Sequence, residues 1–306
     1  MLTFTLQYPG EVASTSADFF TPHVIRAITC RAEAAGFGAV AVSEHPAPSV
    51  KWRQNGGHDT LDPIAALSFI AAATQTISLV TNLIVLPFRN PYLAAKALAS
   101  VDVVSDGRLI VGVGTGYLRS EFAALGVDFD RRGRLLDESL MALRAIWTNP
   151  EHPVRGGDFA AVGPIWTQPT VQKPHPPIWI GGNGTAARRR VVEHGSGWMP
   201  VIGSPAVAST IGTRALTDVA EFGSAVGELK TRLEAAGRDP AAIDIQVEQH
   251  VVDLNDAGAV GVAADELAEL ERHGATRATV HVDAASPAAS LDYIDAFAAA
   301  FINRSN

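Results

Sequence analysis

The stretch that most constrains this chain is Arg108–Tyr117, RLIVGVGTGY. An apolar run enters three glycines at alternate positions, Gly112, Gly114 and Gly116, and leaves through Leu118–Phe122 into a helix-like segment. Alternate residues of an extended chain share a face, so this face carries no side chains. Something flat, or the chain's own backbone, can then approach closely. A dinucleotide-binding turn would need the wider GxGxxG spacing and an acidic residue ending a strand about 20 positions later. Neither is present.

The remaining chain alternates short apolar runs with helical patterns. Strands are expected at Leu2–Tyr8, Ala39–Val42, Ile77–Leu86, the opening stretch Arg108–Tyr117, Pro177–Ile180, Trp198–Val201, Ile243–Val247 and Thr276–Val282. Helices are expected at Pro22–Ala35 between a Thr21 cap and Gly36, from Asp62-Pro63 to Thr74, from Asn90-Pro91, and at Asp130–Trp147. Others follow from Thr185 to His194 and at Asp218–Ala236, Ala263–His273 and Pro287–Phe301. Runs such as Ala39–Val42, apolar without alternation, are the mark of strands buried on both faces. Eight strands alternating with helices in 306 residues point to a single domain spanning 1–306, an α/β fold of the (β/α)8 TIM-barrel type with loop insertions. Residues 46–60 and 149–175 read as long connections, and 203–216 carries no legible pattern.

A formal net charge of −8 argues against nucleic acid and anionic membrane as partners. The basic triplet Arg188-Arg189-Arg190 reads as a solvated helix face. The lone Cys30 excludes an internal disulfide, and no Cys/His spacing suggests a zinc site. No apolar run reaches the ~20 residues of a membrane span. With no signal-like start, a cytoplasmic protein is expected.

In such a barrel the chemistry sits at the C-terminal ends of the strands. The second strand delivers Glu44 and His45 there. The third delivers Asn82 and Leu83, the fourth Thr115, Gly116 and Tyr117, and the fifth Gly181, Gly182, Asn183 and Thr185. His45 can serve as a catalytic or ring-facing imidazole, or bond to backbone. Glu44 can hold that imidazole, hold the substrate, or be solvated. The turn after the fifth strand opens a helix, a site suited to phosphate, though it lacks the Lys-Ser/Thr of a nucleotide P-loop. His58, His152, His175, His194, His250, His273 and His281 share no visible geometry and read as structural or surface residues.

Taken in order, several motifs resemble those of the luciferase-like flavin-dependent oxidoreductases, and within them the coenzyme F420-dependent branch. They are Ser43-Glu44-His45, Val85–Pro91, Gly107–Tyr117, Glu121–Val127, Arg132-Gly133-Arg134 and Pro176–Gly182. The resemblance implies a (β/α)8 barrel holding F420, or alternatively FMN, over strands two to four. It implies a non-prolyl cis peptide, Asn82-Leu83, propping the ring, and backbone at Thr115-Gly116 against the ring or its ribityl chain. Gly181, Gly182 and Asn183 would receive the phosphate, with His45 near the reactive carbon and a homodimer as the assembly. The sugar-phosphate dehydrogenases of that branch carry a carboxylate where Tyr117 stands, a tryptophan where Pro46–Ser49 follow the histidine, and usually Asp where Glu44 stands. A phenol at Tyr117 points instead to reduction of an activated double bond or carbonyl in a small molecule. A monooxygenase using reduced FMN and oxygen, and a non-catalytic flavin-binding barrel, are the other readings.

Overall fold

The computed structural model describes residues 2–12, 16–149, 151 and 153–303; His152 lies outside the described residues. The strands are β1 (Thr3–Gln7), β2 (Ala39–Val42), β3 (Ser78–Thr81), β4 (Ile84–Val85), β5 (Leu109–Gly114), β6 (Ile178–Gly181), β7 (Gly197–Met199), β8 (Asp244–Gln249) and β9 (Arg277–Val280). All except β4 join in one parallel ring, β1-β2-β3-β5-β6-β7-β8-β9, closed by the pairing of β9 with β1. This is the (β/α)8 barrel. Around it run α1 (Pro22–Ala35), α2 (Val50–Gln54), α3 (Pro63–Ala73), α4 (Pro91–Val104), α5 (Arg119–Ala124), α6 (Arg132–Thr148), α7 (Thr185–His194), α8 (Pro205–Thr210), α9 (Val219–Ala235), α10 (Ala257–Arg272) and α11 (Pro287–Phe297).

Local chemistry sets the helix starts. Asp62 accepts from the amides of Ile64 and Ala65, Asn90 accepts from that of Tyr92, and each is followed by a proline whose missing N–H costs nothing there. Gly36 closes α1 at φ +92°, a left-handed turn that side chains disfavour. The larger core fills the space between helices and barrel. A smaller one lies inside the ring: Ala39, Ala41, Val80, Ile110, Trp179 and Met199, with Leu83 packed on top.

The third strand is not the single run expected. It stops at Thr81, passes through a cis peptide at Asn82-Leu83, and resumes as β4, which pairs with the second half of β5. The break turns Leu83 inward, onto the glycine face. A methyl on Gly114 would stand 3.1 Å from Leu83 Cδ1, one on Gly181 would collide with the same atom, and one on Gly112 would collide with the Thr81 carbonyl oxygen. What approaches the glycines of β5 is therefore the chain itself. Gly116 belongs to a different device: it turns at φ +75°, with Phe122 and Val85 where a side chain would go.

Other boundaries moved for identifiable reasons. Helix α10 starts six residues before Ala263; Gly258 and Gly261 obscured its first turns, while Asp256 caps it through the Gly258 amide. The arginine triplet is a correction. Arg188 and Arg190 are buried, the first bonded to the Asn183 carbonyl and Glu228, the second to Asp137 and the Gly133 carbonyl. The connection after α6 is tied down by Asp102 on α4, whose buried carboxylate receives the amides of Val171 and Gln172 and the Gln172 side chain. Among the described residues, no helix is long and apolar enough to cross a membrane.

Candidate active site

The C-terminal mouth of the barrel opens into a cavity of about 480 Å3. Glu44, His45, Asn82, Leu83, Thr115, Gly116, Tyr117, Gly181 and Gly182 all line it. The nominated residues, scattered over strands two to five of the expected ring, thus converge except for Thr185, which opens α7, and Asn183. Asn183 is fully buried and does not line the cavity. Its side chain clasps Val201 at both its amide (2.9 Å) and its carbonyl (2.7 Å) and donates to the Arg214 carbonyl (2.8 Å), while its own amide donates to Thr213 Oγ1 (2.8 Å). It braces the segment that resisted reading, 203–216, of which α8 is the middle.

His45 sits at the centre of one wall. Glu121 Oε2 lies 3.2 Å from its Nδ1, and the Tyr117 hydroxyl lies 3.4 Å from its Nε2. The other Glu121 oxygen accepts from the Ala47 amide at 3.2 Å. Carboxylate, imidazole and phenol therefore form one chain pointing into the cavity. Burial first, and the Glu121 charge second, push the Tyr117 phenol up to about 12, so it remains a proton-bearing donor at neutral pH. Glu44 does not touch the imidazole. Its carboxylate accepts from the Val85 amide at 2.6 Å and from both terminal nitrogens of Arg89, a bidentate pair that locks the loop after β4 to the end of β2.

Glu121 was not nominated: it lies in the first turn of α5, beyond Tyr117, and nothing in the spacing ties it to His45, 76 residues away. Two further neighbours come from the 46–60 connection. The ring centroids of Trp52 and His58 lie 4.5 and 5.3 Å from that of His45. Burial, and then the proximity of His45, lower the His58 pKa. Trp52 supplies an indole that Pro46–Ser49 lack, from a short helix the composition concealed.

A second set of polar groups joins the ends of β1, β2 and β3. Asn82 donates to Gln7 (2.7 Å), which donates to Glu11, and Glu11 accepts from the Ser43 amide at 2.7 Å. Burial pushes the Glu11 carboxyl up to about 7 against the pull of those hydrogen bonds. On β8, Glu248 pairs with His281 at 2.6 Å, so His281 is a rim residue rather than a bystander. Burial opposes the charge on His281, but Glu248 outweighs it and raises the pKa.

The turn after β6, expected to receive phosphate, has its own geometry. Gly182 adopts φ +101°, and Gly184 begins α7 with no side-chain cap. Helices α3, α4, α9, α10 and α11 each start on a capping side chain. At α7, as at α1, α5 and α6, no side chain caps the helix, and here the start faces the cavity, where Gly184, Ala186, Ala187 and Arg190 line the wall.

The fold agrees with what the chain is similar to. The model of the luciferase-like monooxygenase family matches residues 1–300. An F420-dependent glucose-6-phosphate dehydrogenase of Gordonia bronchialis is 29% identical over 238 residues, 76% of this chain and 65% of that relative. An FMNH(2)-dependent dimethylsulfone monooxygenase of Pseudomonas putida is 32% identical over 162 residues, 51% of this chain and 42% of the relative. The crystal structure of monooxygenase RslO1 from Streptomyces bottropensis shares the fold, with a TM-score of 0.77 at 23% identity, covering 97% of this chain and 98% of that one. Barrel and family match lead to one statement: this chain belongs to the luciferase-like monooxygenase family, whose members are oxidoreductases or monooxygenases using F420 or flavin.

Proposed function

We propose that this chain is an oxidoreductase that moves a hydride between coenzyme F420 and a small organic substrate bearing a carbonyl or activated double bond. The observation that carries the reading is the Glu121–His45–Tyr117 chain. Hydride transfer to such a substrate needs a proton delivered to the atom that gains electrons, and a phenol held protonated by burial beside an imidazole can deliver it and be resupplied. Glu121 orients the imidazole through Nδ1.

The residues present fit the coenzyme. Leu83, held in its glycine socket, offers an apolar platform for a flat ring. Gly182, Gly184 and the uncapped start of α7 offer backbone N–H groups and a helix dipole to a phosphate. When bound, F420 supplies two-electron hydride chemistry; its ring has carbon where flavin has the nitrogen that passes single electrons. The relative from Gordonia bronchialis named for F420 supports this choice. The Pseudomonas putida relative named for FMNH(2) supports a second reading, a monooxygenase using reduced FMN and oxygen.

Titration with each coenzyme, followed through the tryptophan fluorescence that Trp52 places beside His45, separates the two. Micromolar binding of F420 with weaker FMN binding is the expected result. Binding of FMN alone overturns the F420 reading, and binding of neither overturns the phosphate assignment of Gly181-Gly182 as well. A homodimer and a cytoplasmic location form part of the same proposal; light scattering of the purified protein tests the first.

A further inference from the structure

Eight buried side-chain atoms among the described residues have no hydrogen-bond partner, and two belong to residues that line the cavity: Ser43 Oγ and Gln246 Nε2. They differ in kind. The Ser43 hydroxyl can rotate and lies beside the Glu11 carboxylate. The Gln246 nitrogen carries only donor hydrogens, on an amide fixed in place by Thr5 Oγ1, which donates to Gln246 Oε1 at 2.7 Å. Gln246 is 3% exposed. A donor so buried is destabilising unless something accepts from it.

Its position says what could accept. Strand β8 pairs with β7, placing Gln246 next beyond the Trp198–Ile245 pair, level with Met199. Met199 in turn lies level with Gly181 on β6 and, with Leu83, borders the space at Gly112. Gln246 therefore stands beside the apolar platform of Leu83 and Met199, at the foot of the wall facing His45 and Tyr117. Glu248, two residues on, lines the same wall.

We propose that Gln246 is a ring-recognition residue: its Nε2–H donates to a carbonyl oxygen on the edge of the flat ring seated on Leu83. The shared chemistry is the dicarbonyl pyrimidine edge, which the rings of FMN and F420 both carry. The inference rests on the coenzyme reading above but names a residue that the phosphate turn and the His45 wall do not include.

The test is Q246L, which removes the donor at similar volume, titrated with F420 and with FMN beside the wild type. Whichever ring the wild type binds should bind Q246L about fivefold to tenfold more weakly, its bound absorption band displaced toward that of the unbound ring. The ligand-free melting temperature should not fall. Gln246→Glu should bind more weakly still, because a carboxylate meets a carbonyl. T5V, which removes the orienting hydroxyl, should show an intermediate loss. An unchanged dissociation constant and spectrum in Q246L overturn the proposal, as does a loss that tracks a lowered melting temperature. Should Q246L fail to fold, T5V decides: unchanged binding and spectrum there overturn the proposal. If the wild type binds neither ring, the coenzyme reading fails and takes this inference with it; if the wild type binds and Q246L matches it, only this inference fails.

Discussion

His45 is held from two sides, and the two holds have different consequences. Tyr117→Phe removes the proton but leaves the ring in place. Turnover should fall about 10^2- to 10^4-fold, the range for a lost general acid, with coenzyme affinity within about twofold of wild type, as fluorescence titration and steady-state rates will show. Glu121→Gln keeps a partner for the Ala47 amide and for the imidazole but loses the charge. Its kcat should fall about 10- to 100-fold, by analogy with the loss of other charge partners of functional histidines, with little change in KM. Equal losses in kcat and in melting temperature would mark Glu121 as structural instead. His45 and Tyr117 were legible in the chain because each ends a strand, and strand ends meet at the barrel mouth. Glu121 was hidden because its role depends on a contact across 76 residues of sequence. Trp52 and His58 were hidden for another reason: a polar, glycine-containing connection looks like solvent-facing loop until its short helix folds back.

The broken third strand and the glycines of β5 are one construction. Each glycine omits a side chain where Leu83 or the Thr81 carbonyl must go. The two obstacles differ in compliance, and that difference is measurable. Gly112→Ala drives a methyl into backbone and should cost about 1–3 kcal/mol in denaturant unfolding, as overpacked sites do. Gly181→Ala meets only the end of Leu83, so its cost should shrink in a Leu83→Ala background, with a coupling of about 1 kcal/mol or more. No such rescue should occur for Gly112→Ala. The alternation of glycine announced a close approach, and the apolar run announced a buried strand. Neither could say that the approaching group was the neighbouring strand, because a break in β3 has no periodic signature. Asn183 shows the converse limit: its place beside two glycines suggested a ligand, whereas its side chain and amide bond to Val201, Arg214 and Thr213 and its carbonyl accepts from Arg188.

The barrel itself was readable from the count of alternating strands and helices, since parallel strands buried on both faces leave continuous apolar runs whatever the loops do. Its second set of polar groups was not, because Gln7, Glu11, Ser43 and Asn82 come from three separate strand ends. That set should make stability depend on pH. Burial raises the Glu11 carboxyl from its ordinary 4.5 to about 7, so the folded state holds this proton more tightly than the unfolded chain. The corresponding stability is fully present below pH 4.5 and is lost as pH rises through about 7, up to about 3 kcal/mol at ~1.4 per pKa unit. His281, also raised, titrates in the same direction. Glu11→Gln should therefore flatten, without abolishing, the fall in melting temperature between about pH 5 and 7; a variant with the wild-type slope would remove Glu11 from the account. The brace at Asn183 has a consequence of another kind. It grips the chain at Val201 and again at Thr213 and Arg214, and the Gly203 amide donates to the Leu216 carbonyl at 2.8 Å. Residues 204–212 thus form a cassette clipped at both ends to the turn proposed to receive the coenzyme phosphate. The cassette can be exchanged to change what enters the mouth while its clips, and the turn they steady, stay in register.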